Sequence, residues 1–179
     1  MLTTYIDSLA KIASRIENNN IDKCIKLIEK TINQKKTIFI CGNGGSSAIA
    51  SHTLCDFVKR LYPKKKCKMF DLTSNNILIS AISNDLGSEN VFSHQLKMFS
   101  EKKDICFFIS SSGNSKNIIK GIKCAKKKGV ETIAILGFSG GRAKKLADVV
   151  IHFQTKTYEH HEDLAQVLMH YLYLRLKKN

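Results

Sequence analysis

From Leu2 to Asn33, apolar residues recur at the three- and four-residue spacing of amphipathic helices: Leu2, Ile6, Leu9, Ile12 and Ile16, then Ile21, Cys24, Ile25, Leu27, Ile28 and Ile32. The spacing predicts two helices broken at Asn18-Asn19-Asn20, a helical extension over residues 1–34. Beyond it the pattern changes to short β-branched or aromatic runs, each followed by a small-residue loop and then a helical stretch. Strands are expected over residues 37–41, 66–71, 105–110, 132–136 and 149–153. Helices are expected over about 47–61, 75–84, 90–99, 116–128, 141–148 and 159–177. Strands alternating with helices build a parallel sheet covered on both faces. The expected fold class is therefore α/β: a five-stranded parallel sheet in a flavodoxin-like three-layer sandwich, one domain over residues 1–179.

In open α/β sheets ligands bind beyond the carboxyl ends of the strands, where the helices begin. The loop Cys41-Gly42-Asn43-Gly44-Gly45-Ser46-Ser47 sits at such a place and presents small residues and backbone N–H groups to an anion. It is not a Walker loop, because no Gly-Lys-Ser/Thr follows, and Ser47 stands where a dinucleotide fold needs its third glycine. The third strand runs into Ser110-Ser111-Ser112-Gly113-Asn114-Ser115. A helix cap would use one of these hydroxyls; four around a glycine point to phosphate. The later loop Gly137-Phe138-Ser139-Gly140-Gly141 reads as a tight turn.

Charge sharpens the picture. Lys and Arg outnumber Asp and Glu by 29 to 15, a net charge of +14 that draws in anions. The lysines form short solvated runs without interleaved aromatics, so phosphorylated metabolites are favoured over nucleic acid. No apolar run approaches the length of a membrane span. The N-terminus lacks the charged start and apolar core of a secretion signal, so a cytoplasmic location is expected. Six cysteines are scattered without a C-x-x-C pair and read as buried thiols.

His52 and Asp56, spaced i, i+4 on an expected helix, share one face just past the first loop, which suits zinc, a proton-transfer pair or simply a surface ion pair. Glu162 and His170 are separated by about 12 Å of helical rise and roughly 80° of rotation, so one straight helix does not bring them to a common metal. Either Glu162 lies on the lead-in to the helix, or neighbouring subunits supply one each. His160 and His161 read as solvated loop. Arg60 suits either a substrate phosphate or the C-terminal end of its helix.

The Gly-Asn-Gly-Gly-Ser and Ser-x-Ser-Gly-Asn-Ser pieces, with His52, Asn84-Asp85, Glu162 and His170, resemble the sugar isomerase (SIS) domain and, within it, the phosphoheptose isomerases. That resemblance implies interconversion of sedoheptulose 7-phosphate and D-glycero-D-manno-heptose 7-phosphate through an enediol, for bacterial surface heptose. It implies a homotetramer with active sites between subunits, and zinc. It places substrate contacts at Asn43, Gly44, Ser46, Asp85, Ser110, Ser111, Ser112, Ser115 and Glu162. Metal positions fall on His52, Asp56, Glu162 and His170, and the acid/base pair on Asp56 and His170. Asp56 stands where a glutamate is usual. The alternative is a SIS domain that binds a sugar phosphate without turnover and regulates a partner.

Overall fold

A computed structural model describes residues 1–178. Its elements in chain order are α1 (Leu2–Ala13), α2 (Asn18–Asn33), β1 (Thr37–Gly42), α3 (Gly45–Leu61), β2 (Lys68–Asp71), α4 (Asn76–Leu86), α5 (Val91–Phe99), β3 (Ile105–Ser110), α6 (Lys116–Lys127), β4 (Glu131–Leu136), β5 (Val149–His152) and α7 (Tyr158–Lys178). The strands form one parallel sheet in the order β2-β1-β3-β4-β5.

Side-chain alternation along the strands divides the core in two. Ile105, Phe107 and Ile109 of β3 pack with Ile38 and Ile40 of β1 against α2, α3 and α7. Cys106 and Phe108 pack with Phe39 and Cys41 against α4, α5 and α6. Every residue of β3 is buried, as a central parallel strand requires. The chain moves outward from β1 to β2 on one side and from β3 through β4 to β5 on the other. The order reverses between β1 and β3, so the loops leaving these two strands diverge and leave a crevice.

Two expected elements differ. The Asn18–Asn20 run opens α2 rather than breaking the helical pair; the interruption lies at Ser14–Glu17. Residues 141–148 hold only a single 3₁₀ turn, Ala143–Lys145, because Gly140 and Gly141 sit at φ +80° and +53°, outside helical space. The six cysteines are all free, five of them buried and Cys55 exposed. Among the described residues no helix is long and apolar enough to cross a membrane.

Candidate active site

The loops after β1 and β3 meet across the crevice and enclose a cavity of about 320 Å³, lined by Asn43, Gly44, Gly45, Ser46, Ile109, Ser110, Ser111, Ser112, Ser115, Tyr158 and Glu162. A reciprocal amide pair joins the loops: Asn43 Nδ2 donates to Asn117 Oδ1 at 3.0 Å, and Asn117 Nδ2 to Asn43 Oδ1 at 2.9 Å. Among the described residues the amides of Gly44 and Gly45, at the start of α3, have no backbone acceptor. Ser110 Oγ accepts from Gly113 N at 3.1 Å and Ser112 Oγ from Asn114 N at 3.2 Å, which leaves both hydroxyl protons free to donate. Ser115 precedes α6 without capping it through its side chain. Free donors converging at two helix starts suit a phosphate group.

The glycine-rich loop after β4 braces this pocket from behind. Ala143 N donates to Gly113 O at 2.9 Å and Arg142 N to Asn114 Oδ1 at 3.0 Å. Gly113 sits at φ +63°, and a Cβ there would run into the Gly140 carbonyl.

A second group of chemistry-bearing residues lies further along α3 and α7, which pack side by side. His52 Nε2 is 3.0 Å from His170 Nε2, and Asp56 Oδ2 is 3.4 Å from the first and 3.5 Å from the second. Arg60 Nη1 takes the other Asp56 oxygen, Oδ1, at 3.0 Å, and its guanidinium lies 4.3 Å over the ring of Tyr173. The Gln166 amide approaches His170 Nε2 at 3.1 Å. Asp56 is buried while both histidines are partly open to solvent.

Residues 4–137 match the SIS domain family model. A phosphoheptose isomerase of Sulfurimonas denitrificans is 40% identical over 134 residues, 74% of this chain and 69% of that protein. A probable phosphoheptose isomerase of Thermoplasma acidophilum is 39% identical over 139 residues, covering 75% and 76%. The chain belongs to the phosphoheptose isomerase family of SIS-domain proteins. Its fold matches the solved structure of a phosphoheptose isomerase from Neisseria gonorrhoeae with a TM-score of 0.92 over 99% of this chain and 97% of that one, at 24% identity.

Against the residues that the family resemblance picks out, the structure gathers Asn43, Gly44, Ser46, Ser110, Ser111, Ser112, Ser115 and Glu162 around one cavity. His52, Asp56 and His170 form the other group. Asp85 joins neither; it is exposed near the end of α4 and accepts from Asn84. Glu162 is part of α7 proper, so the lead-in explanation for sharing a metal with His170 falls, and its carboxylate lies against Gly45 in the pocket instead. Arg60 lies in the last turn of α3, as the helix-end expectation had it, and also holds Asp56.

Two residues escaped the sequence reading. Asn117 lies one residue inside α6, and nothing but its amide marks it in the sequence. His161, expected in a solvated loop, is fully buried, with Nδ1 2.8 Å from Ser111 Oγ. Burial pushes its pKa down to about 4, against a smaller opposing pull from the Ile135 backbone. Its neighbour His160 is half-buried and bridges Ser8 Oγ and Thr157 Oγ1, each at 2.7 Å.

Proposed function

We propose that this protein interconverts sedoheptulose 7-phosphate and D-glycero-D-manno-heptose 7-phosphate in the cytoplasm, supplying heptose for lipopolysaccharide or capsule. The observation that carries the reading is that α3 and α7, which help line an anion pocket, also carry a carboxylate and imidazoles at 3.0–3.5 Å. Aldose–ketose isomerisation moves a proton between adjacent carbons through an enediol, which needs a base at carbon and an acid at oxygen. Asp56 Oδ2 and His170 Nε2 take these parts. Aspartate is a methylene shorter than the glutamate expected there, yet Oδ2 still reaches both histidines while Arg60 secures Oδ1.

The same three side chains fit zinc. Two ligands about 2.0–2.1 Å from a tetrahedral ion stand about 3.3 Å apart, and the observed separations are 3.0, 3.4 and 3.5 Å. Zinc held by His52, Asp56 and His170 would supply Lewis acidity to the sugar carbonyl, in place of proton transfer by the Asp56 and His170 atoms that bind it. Glu162 stands apart from this set, and its place in the pocket supports the reading as a substrate contact.

A homotetramer with shared active sites would accommodate the spacing. Ten residues of α3 separate Ser46 from Asp56, about 15 Å of rise. An extended heptose phosphate is only about 10 Å long at ordinary bond lengths. A pocket completed by the cluster of a neighbouring copy removes that mismatch. The exposed residues Val167, Tyr171 and Leu174 give α7 an apolar face for such a neighbour.

The test is a proton NMR time course with sedoheptulose 7-phosphate, with and without added zinc. The expected result is growth of aldose signals, abolished by His170→Ala. Binding without turnover in the wild-type protein would leave a sugar-phosphate sensor.

A further inference from the structure

His161 is a buried ionisable side chain that the isomerisation chemistry leaves unused. Its ring is wedged between Phe153, edge-on at 6.5 Å, and Gly137, where a Cβ would stand 2.9 Å from ring carbon Cδ2. Nδ1 faces Ser111 Oγ at 2.8 Å, and among the described residues Nε2 has no hydrogen-bond partner of ordinary geometry, the Ile135 backbone exerting only the smaller pull noted above. Ser111 is itself buried and lines the pocket.

We infer that His161 is a positioning residue for phosphate: its Nδ1–H donates to Ser111 Oγ and thereby turns the Ser111 hydroxyl proton into the pocket. The inference rests on reading the serine pocket as the phosphate site. A neutral imidazole carries one proton, on one of its two nitrogens. On Nε2 that proton would be a buried N–H without an acceptor of ordinary geometry, which costs the full desolvation of a donor. On Nδ1 it meets Ser111, and only a lone pair is left without a partner, the less costly orphan. The Ser111 hydroxyl has a single proton, and His161 is its one side-chain partner among the described residues. Once Nδ1–H occupies a lone pair, that proton points to whatever acceptor the pocket holds.

The opposite direction would undo the site. A Ser111 hydroxyl donating to His161 would show a phosphate oxygen only lone pairs. Fixing the direction before the ligand arrives removes a reorganisation that binding would otherwise bear. It also gives the loop after β4 a purpose beyond turning the chain, because Gly137 is the gap that admits the ring.

The experiment is calorimetric titration of the full chain with inorganic phosphate at neutral pH, together with ring ¹⁵N NMR of His161. Wild-type protein should show a protonated Nδ1 and a bare Nε2. His161→Leu should bind phosphate roughly tenfold more weakly, as expected for one hydrogen bond to a charged group. His161→Asn, whose amide N–H can stand where Nδ1–H stands, should bind within about threefold of wild type. In a Ser111→Ala background, His161→Leu should cost nothing further. In turnover the loss should appear in KM with kcat nearly unchanged.

A protonated Nε2, wild-type affinity in His161→Leu, or an added loss on top of Ser111→Ala each overturns the role of His161 alone. Wild-type protein that takes up no phosphate overturns the pocket reading, and this inference with it. Should His161→Leu fail to fold, the tautomer and the Asn variant still decide.

Discussion

The serine pocket and the His52–Asp56–His170 cluster both draw on α3 and α7, yet they are finished to different degrees. In the pocket, Ser110 and Ser112 already accept backbone N–H groups, Ser111 is paired with a buried imidazole, and an amide pair ties the two loops. In the cluster, two imidazole nitrogens face each other at 3.0 Å beside a carboxylate, with the His52 side chain 52% exposed. Gripping a phosphate rewards dipoles set in advance. Moving a proton rewards groups whose own protonation can change.

The sharpest way to separate the two regions is Asp56→Asn. Turnover should fall by about 10²–10⁴, the scale of one acid–base group, while inorganic phosphate binds as before by calorimetry. A matching loss of phosphate affinity would merge the regions into one. Next comes Gly113→Ala, which forces φ +63° on a residue with a Cβ aimed at the Gly140 carbonyl. Strain and overpacking together should cost about 4 kcal/mol, a drop in melting temperature of roughly 10 °C. A melting curve unchanged by this substitution would show that the braced loops yield easily.

The smallest effect is a pH dependence confined to the pocket side. His161 has a folded-state pKa of about 4 against 6.5 for an ordinary imidazole. Between those values the unfolded chain binds a proton that the folded chain refuses. The associated stability is complete above about pH 6.5 and is lost as pH falls toward 4, on the order of 3 kcal/mol. Urea unfolding at pH 7 and pH 4.5 should show a smaller difference in His161→Leu than in wild type; equal differences would place the acid-sensitive group elsewhere.

The central strands β1, β3 and β4 were legible because parallel strands buried on both faces read as apolar runs, whereas the half-exposed β2 starts at Lys68, two residues later than expected. Both loops that line the serine pocket were legible because small residues at helix starts have few other uses. His161 was not, since two histidines before an apolar helical run look solvated until the sheet brings Ser111 beneath one of them. The 3₁₀ turn at Ala143–Lys145 was missed because the residues after Gly141 have good helical composition, and only the positive φ of Gly140 and Gly141 prevents a helix. The separation of Glu162 from the cluster was half legible. Helical rise argued against a shared metal within one straight helix, but the continuity of α7 through residue 162 had to be seen.

The strand order has a consequence for how the molecule comes apart. Both pocket loops hang from β1 and β3, the adjacent strands at the switch point, whose residues are almost all buried. At the other extreme, α1 buries no residue of its own and is latched to α7 through Tyr5–Asp163 and Ser8–His160. Breathing motions that fray the periphery first therefore reach the anion cradle late. Amide hydrogens at the ends of β1 and β3 belong with the slow-exchanging centre, so a chain that has already let go of its first helix still keeps the shape of its pocket.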